Sequence, residues 1–209
     1  QGEDEGIVVP IGMVDDPECQ RQEDLTINLA RDNVYIVGSS QMGKTVMLQT
    51  ILYGLMNKYT SSQVNVYIVD CGSMVLKFFE ESKYVGGVVL SDEEEKCKNL
   101  FKLINSTIIE RKKILSGKGV GNYFSYMETG SCDVPLMVIM IDNISAFKEY
   151  FPNQFEEIGS LVREAQSVGI SFIFTSMTAN GLTSRIQANL GEKIVLNCND
   201  PGEYSNVLG

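Results

Sequence analysis

The chain has 209 residues, 44% of them apolar and 21% charged, with a formal net charge of −10 and no histidine. That apolar content suits a folded domain with a sizeable core. The missing histidine excludes imidazole catalysis and histidine metal sites within the chain, and the acidity argues against a surface that grips DNA through its phosphates.

Cys19, Cys71, Cys97, Cys132 and Cys198 are odd in number and form no Cys-x-x-Cys pair, which reads as reduced thiols rather than a disulfide or zinc framework. No apolar run reaches the ~18 residues of a membrane span, so no direct membrane insertion is expected.

Residues 1–6 are acidic, show no signal-peptide pattern, and are set aside as a cloning remnant or disordered tail. Residues 7–33 read as an N-terminal extension or edge strand. Within it Val14-Asp15-Asp16-Pro17 is turn-like, and Leu25-Thr26-Ile27-Asn28-Leu29 alternates as an antiparallel strand does. From 34 to 209 strands alternate with helices. Val34–Val37 is a strand, Thr45–Lys58 a helix, and Val64–Val69 a strand closed by Asp70-Cys71-Gly72. Apolar residues at 74, 75, 76, 78 and 79 suggest a short helix before the strand Val85–Leu90. Ser91 and Glu94 read as a capping box for a helix to about Leu115, with Glu93-Glu94-Glu95 in its favourable first turn. Ser116–Gly121 reads as a loop. Leu136–Ile141 is apolar throughout and ends in Asp142, as a central parallel strand buried on both faces would. Phe155–Val168 is helical with Gly169 as its stop, and Ile170–Thr175 and Ile194–Leu196 are further strands. This alternation specifies an α/β fold with a mostly parallel central sheet flanked by helices.

Gly38-Ser39-Ser40-Gln41-Met42-Gly43-Lys44-Thr45 fits the phosphate-binding loop, Gly-x4-Gly-Lys-Ser/Thr. In that motif successive backbone N–H groups curl around phosphates, and glycine permits the angles and the close approach. Lys44 is expected to reach the β- and γ-phosphates and the Thr45 hydroxyl to hold Mg²⁺, so ATP and Mg²⁺ are the expected cofactors. The strand before the loop and the helix after it set the phosphates on a helix N-terminus. A second group for Mg²⁺ belongs at the end of an apolar strand. Asp142 is the first candidate. Asp70 is the second, because its strand is shorter and follows the loop sooner. Asn143 stands where many such ATPases carry a glutamate that activates water. An amide orients water but takes no proton from it at neutral pH. Glu149, the next acid, is too far along the chain to substitute by spacing. The binding half of the site reads as intact and the hydrolytic half as impaired.

Several further segments occur in a familiar order: Gly12 to Pro17 with Gln20, the phosphate loop, Val69-Asp70-Cys71-Gly72, Val85–Asp92, Glu110-Arg111-Lys112, Gly119-Val120 with Asn122 and Tyr126, Val138–Asp142, Gly169-Ile170 and Ile186-Gln187-Ala188-Asn189. Together they resemble the FtsK/SpoIIIE-type ATPases, RecA-like P-loop NTPases of the additional-strand class. More narrowly they resemble the ATPase domains of type VII secretion coupling proteins of the EssC/EccC kind. Asp-Cys-Gly after the second strand favours that branch, since DNA translocases have Asp-Pro-Lys there. Two departures stand out: Asp142-Asn143 where the active pattern is Asp-Glu, and Ser176-Met177-Thr178-Ala179 where translocases have Thr-Gln-Arg-Pro.

The resemblance implies an ATP-binding module of a membrane-anchored bacterial protein, on the cytoplasmic side, whose pattern continues past Gly209. It implies one of several tandem ATPase domains, the degenerate last one, with other such domains and secreted helical proteins as partners in a hexameric assembly. Alternatives are a competent motor completed by neighbouring subunits, a docking module for helical export signals that does not hydrolyse, and a DNA translocase, which the charge disfavours. Arg111 has two readings. One is a solvated basic face complementing the helix C-terminal dipole. The other, from the resemblance, is a finger reaching a neighbour's nucleotide.

Overall fold

The computed structural model describes residues 6–12 and 26–196, and the backbone of 205–208. Its strands are β1 (Val8–Pro10), β2 (Thr26–Asn28), β3 (Val34–Gly38), β4 (Val64–Asp70), β5 (Val85–Leu90), β6 (Leu136–Asp142), β7 (Ile170–Ser176), β8 (Glu192–Leu196) and β9 (Ser205–Leu208). Its helices are α1 (Gln41–Lys58), α2 (Glu94–Lys118), α3 (Tyr123–Glu128), α4 (Ile144–Tyr150), α5 (Pro152–Ser167) and α6 (Ser184–Gln187), with a 3₁₀ segment at Val75–Glu81.

Strands buried at every position must be covered on both faces, and β6 and β7, buried throughout, occupy the middle of a seven-stranded sheet of order β5-β4-β6-β7-β3-β8-β9. All neighbours pair in parallel except β9, which runs antiparallel to β8. Side chains alternate between two cores. Ile139, Ile141, Phe172 and Phe174 face Phe101, Phe147 and Ile158 of α2, α4 and α5. Val138, Met140 and Ile173 face Met47, Leu48 and Ile51 of α1. Because the strands are parallel, β3, β4, β6 and β7 deliver Gly38, Asp70, Asp142 and Ser176 to one edge. β7 lies between the phosphate-loop strand β3 and the Asp142 strand β6.

Three expectations change. The N-terminal strand does not extend the main sheet; β1 and β2 form their own antiparallel pair beside α1, where the Val8 N–H donates to the Tyr59 hydroxyl at 2.7 Å. Ser91 is not the cap of α2. The Glu93 carboxylate accepts from the Leu90 N–H at 3.0 Å and pairs with Lys96, so the helix opens at Glu94. It also runs past Leu115, stopping where Gly119 takes a left-handed φ of 69°. Residues 1–5 and the segment 13–25, which holds Val14 to Pro17 and Gln20, lie outside the described residues.

Candidate functional site

The two strand-end aspartates are register partners on adjacent strands, yet their carboxylates differ. Both Asp70 oxygens accept backbone N–H groups, Oδ1 from Gly72 at 3.0 Å and Oδ2 from Leu76 at 3.2 Å. Asp70 therefore ties down the turn into the 3₁₀ segment. Asp142 is 1% exposed; its Oδ1 accepts from the Thr175 hydroxyl at 2.6 Å, and its buried Oδ2 has no hydrogen-bond partner. Burial raises the Asp142 carboxyl above the ordinary carboxylate range and Asp70 adds to the rise, while the Thr175 hydrogen bond, the nearby Ser73 backbone N–H and the Lys44 charge oppose it. A buried anionic oxygen with an unmet valence fits a cation better than it fits a structural role.

The backbone of Gly72 crosses in front of that oxygen. A Cβ there would lie 2.8 Å from Asp142 Oδ2 and 3.1 Å from Gln41 Nε2, so any side chain would have to push the carboxylate aside, and glycine lets this turn pass between it and the phosphate loop. Cys71 beside it is no nucleophile, since burial, and then Asp70 and Asp142, push its thiol up to about 12.

The phosphate loop is tighter than the motif leads one to expect. α1 already begins at Gln41, capped by Ser40, whose hydroxyl accepts from the Gly43 N–H at 3.3 Å. Neither Gly38 nor Gly43 has a positive φ. Gly38 instead serves close approach, since a Cβ would meet Leu196 Cβ at 3.0 Å. Lys44 is 2% exposed and bends back along the loop, its ammonium donating to Gly38 O at 2.5 Å and Ser40 O at 3.2 Å. A phosphate that engages Lys44 must replace those carbonyls. Burial lowers the Lys44 pKa, and the Asp142 charge partly restores it. The Thr45 hydroxyl donates to Gln41 O at 3.0 Å, which leaves its oxygen lone pairs for a ligand. Thr45 and Asp142 are thus the residues that would hold Mg²⁺, and Gly38 to Lys44 the segment that would meet phosphates.

Asn143 is occupied. It sits at φ 68°, caps α4 by accepting the Ala146 N–H on Oδ1 at 3.2 Å, and donates its own N–H to Thr175 Oγ1 at 2.7 Å. Its amide oxygen is a helix cap. Met177 is half exposed, and its thioether is no polar sensor.

Arg111 lies far from all of this and corrects both of its readings. It is 8% exposed, donating from Nη1 to Val168 O at 3.1 Å and Gly169 O at 2.8 Å, and from Nη2 to Pro135 O at 2.6 Å. Pro135 and Gly169 precede β6 and β7, at the opposite edge of the sheet from Asp142. With ~3.3 Å per residue, the seven residues of β6 separate the two by roughly 20 Å. Arg111 is neither a solvated face nor a free finger. It is a buried clasp joining α2 to the start of two strands. Sequence reasoning missed Thr175, and read Gly72 only as part of the Asp-Cys-Gly motif, not as the residue in front of Asp142. The signal for Thr175 was a pair of hydroxyls, Thr175-Ser176, closing a mostly apolar strand.

Residues 5–206 match the FtsK/SpoIIIE family. The chain belongs to that family. This FtsK/SpoIIIE domain is 28% identical over 201 residues to the ESX secretion system protein EccC of Geobacillus thermodenitrificans, an alignment covering 96% of the chain and 14% of that protein. It thus spans a small part of the relative's length. The solved structure of EssC (ATPases 2 and 3) from the same organism superposes with a TM-score of 0.79 at 28% identity, over 91% of this chain and 37% of that one. Thermomonospora curvata EccC (ATPases 2 and 3), solved in complex with a signal sequence peptide, has the same fold, with a TM-score of 0.79 at 22% identity over 91% of this chain and 36% of that one. A mostly parallel sheet flanked by helices is therefore the P-loop ATPase fold of the FtsK/SpoIIIE domain. No helix among the described residues is long and apolar enough to cross a membrane.

Proposed function

We propose that this chain is an ATP–Mg²⁺-binding module of a type VII secretion motor, and that it turns nucleotide over weakly or not at all by itself. The Asp142 carboxylate carries the reading. It is buried, oriented by Thr175, and presents one unpartnered oxygen at the strand edge that also bears the phosphate loop. A purely structural aspartate would be expected to look like Asp70. Impaired hydrolysis follows from Asn143, whose amide oxygen already caps α4 and whose chemistry includes no base.

The chain works within a longer polypeptide, as the degenerate last of several tandem ATPase domains. The polypeptide is membrane-anchored with this domain on the cytoplasmic side, assembles as a hexamer, and exports helical substrate proteins. The relatives' type VII membership supports this.

A second reading, a docking module with a relict loop, draws support from Lys44, whose ammonium is spent on Gly38 and Ser40 carbonyls. A groove of about 580 Å³ opens on the loop itself, where Met42, Val46 and Val75 offer an export signal an apolar wall and Gln41, Thr45 and Gln49 supply polar groups. Calorimetric titration with ATP, with and without Mg²⁺, separates the two. The ATP reading expects saturable, Mg²⁺-dependent binding that Lys44→Ala abolishes. No response at millimolar ATP sinks it and leaves the docking reading.

A further inference from the structure

We infer that Thr175 is a positioning residue that makes Asp142 a one-oxygen ligand for the cation. The inference rests on the ATP–Mg²⁺ reading and goes beyond it, because Thr175 belongs to neither the phosphate loop nor the acidic pair.

The direction of each hydrogen bond is forced. The Asn143 backbone N–H can only donate, so at 2.7 Å the Thr175 oxygen is its acceptor. A hydroxyl has one proton, and that proton points to Asp142 Oδ1 at 2.6 Å. Thr175 is fully buried, so water does not compete for either bond. One side chain thereby does two things. It occupies Oδ1, leaving Oδ2 as the carboxylate oxygen without a hydrogen bond, and so the one to meet a cation. It also anchors the peptide N–H that starts the left-handed Asn143 and the α4 cap. The carboxylate plane is set by β7, the strand inserted between the phosphate loop and Asp142. Partners of this kind, behind a metal ligand, typically alter metal affinity by ~10–100-fold when removed.

The test compares wild type with Thr175→Val and Thr175→Ser in the whole chain. Valine keeps the branched shape a strand favours and deletes the hydroxyl; serine keeps the hydroxyl. ATP affinity is measured in EDTA and across a Mg²⁺ titration. Thr175→Val is expected to raise the Mg²⁺ midpoint by ~10–100-fold while ATP affinity in EDTA stays at the wild-type value, and Thr175→Ser is expected to restore the midpoint. Backbone amide exchange at Asn143 should quicken in the valine variant only. If valine does not fold, Thr175→Ala takes its place in the same comparison. An unchanged Mg²⁺ midpoint in the valine variant overturns the inference. So does an equal loss with and without Mg²⁺, which marks a merely structural residue, or a serine variant as impaired as valine. Should wild type bind ATP with no dependence on Mg²⁺, or not at all, the ATP–Mg²⁺ reading fails and takes this inference with it.

Discussion

Both edges of the sheet bury charge, and they treat it in opposite ways. At the edge where β6 and β7 begin, Arg111 meets three carbonyls and holds an α2–sheet joint together. At the edge where they end, Asp142 keeps an oxygen with no partner. The contrast repeats within the second edge, where Asp70 is satisfied by backbone N–H groups and its register partner Asp142 is not. A buried charge whose hydrogen-bonding capacity is filled by its own chain stabilises the fold. One left short is carried at a cost in stability, and such groups mark ligand sites.

The comparison breaks first at Arg111. Arg111→Ala is expected to destabilise the domain by about 3 kcal/mol, because it strands buried carbonyls and opens a cavity. Chemical denaturation measures this, and a loss within experimental error would return Arg111 to the surface. The aspartates sharpen the contrast, since the same substitution should have opposite signs. Asp70→Asn must face one of two N–H donors with its own NH₂ group, and should cost about 2 kcal/mol. Asn143→Glu comes next. It removes the α4 cap and puts a glutamate at a left-handed φ, for a loss of about 1–2 kcal/mol. Restoring the missing acid there therefore damages the fold that would have to use it, and denaturation of that variant beside wild type shows by how much.

Asp142→Asn should do the reverse and stabilise the ligand-free protein by about 1 kcal/mol at pH 7. The sign follows from the raised Asp142 pKa. A carboxyl raised in the folded state contributes full stability below its unfolded pKa and loses it as pH rises through the folded value. Asparagine is neutral throughout, so its advantage should be present at pH 7 and close as pH falls toward about 4. An advantage that grows on acidification would contradict the assignment.

Much of this was legible in the residues. Leu136–Ile141 is apolar at every position, which left little choice but a central strand, and the Asp142 at its end followed from that. Asp142 ranks above Asp70 in the sequence by strand length and by distance from the phosphate loop. The physical difference between them, which valences are filled, depends on backbone N–H groups at Gly72 and Leu76 and on a hydroxyl from β7, none of which spacing reveals. Arg111 was misread for a related reason. It sits in Glu110-Arg111-Lys112-Lys113, a run that looks like a solvated face, but its guanidinium reaches carbonyls of residues 24 and 57 positions away in sequence. The wound first turn of α1 was also hidden. Ser40 is a good N-cap, and that preference competes with the open loop that the glycines permit.

Phosphate release by wild-type protein, at an ATP concentration shown by titration to saturate it in Mg²⁺, tests the central claim most directly. The account predicts an occupied site and release far below the ~1 s⁻¹ at the low end of ordinary enzymes. Release at that rate or faster from the isolated chain would show that Asn143 is no obstacle and that the site is a working ATPase.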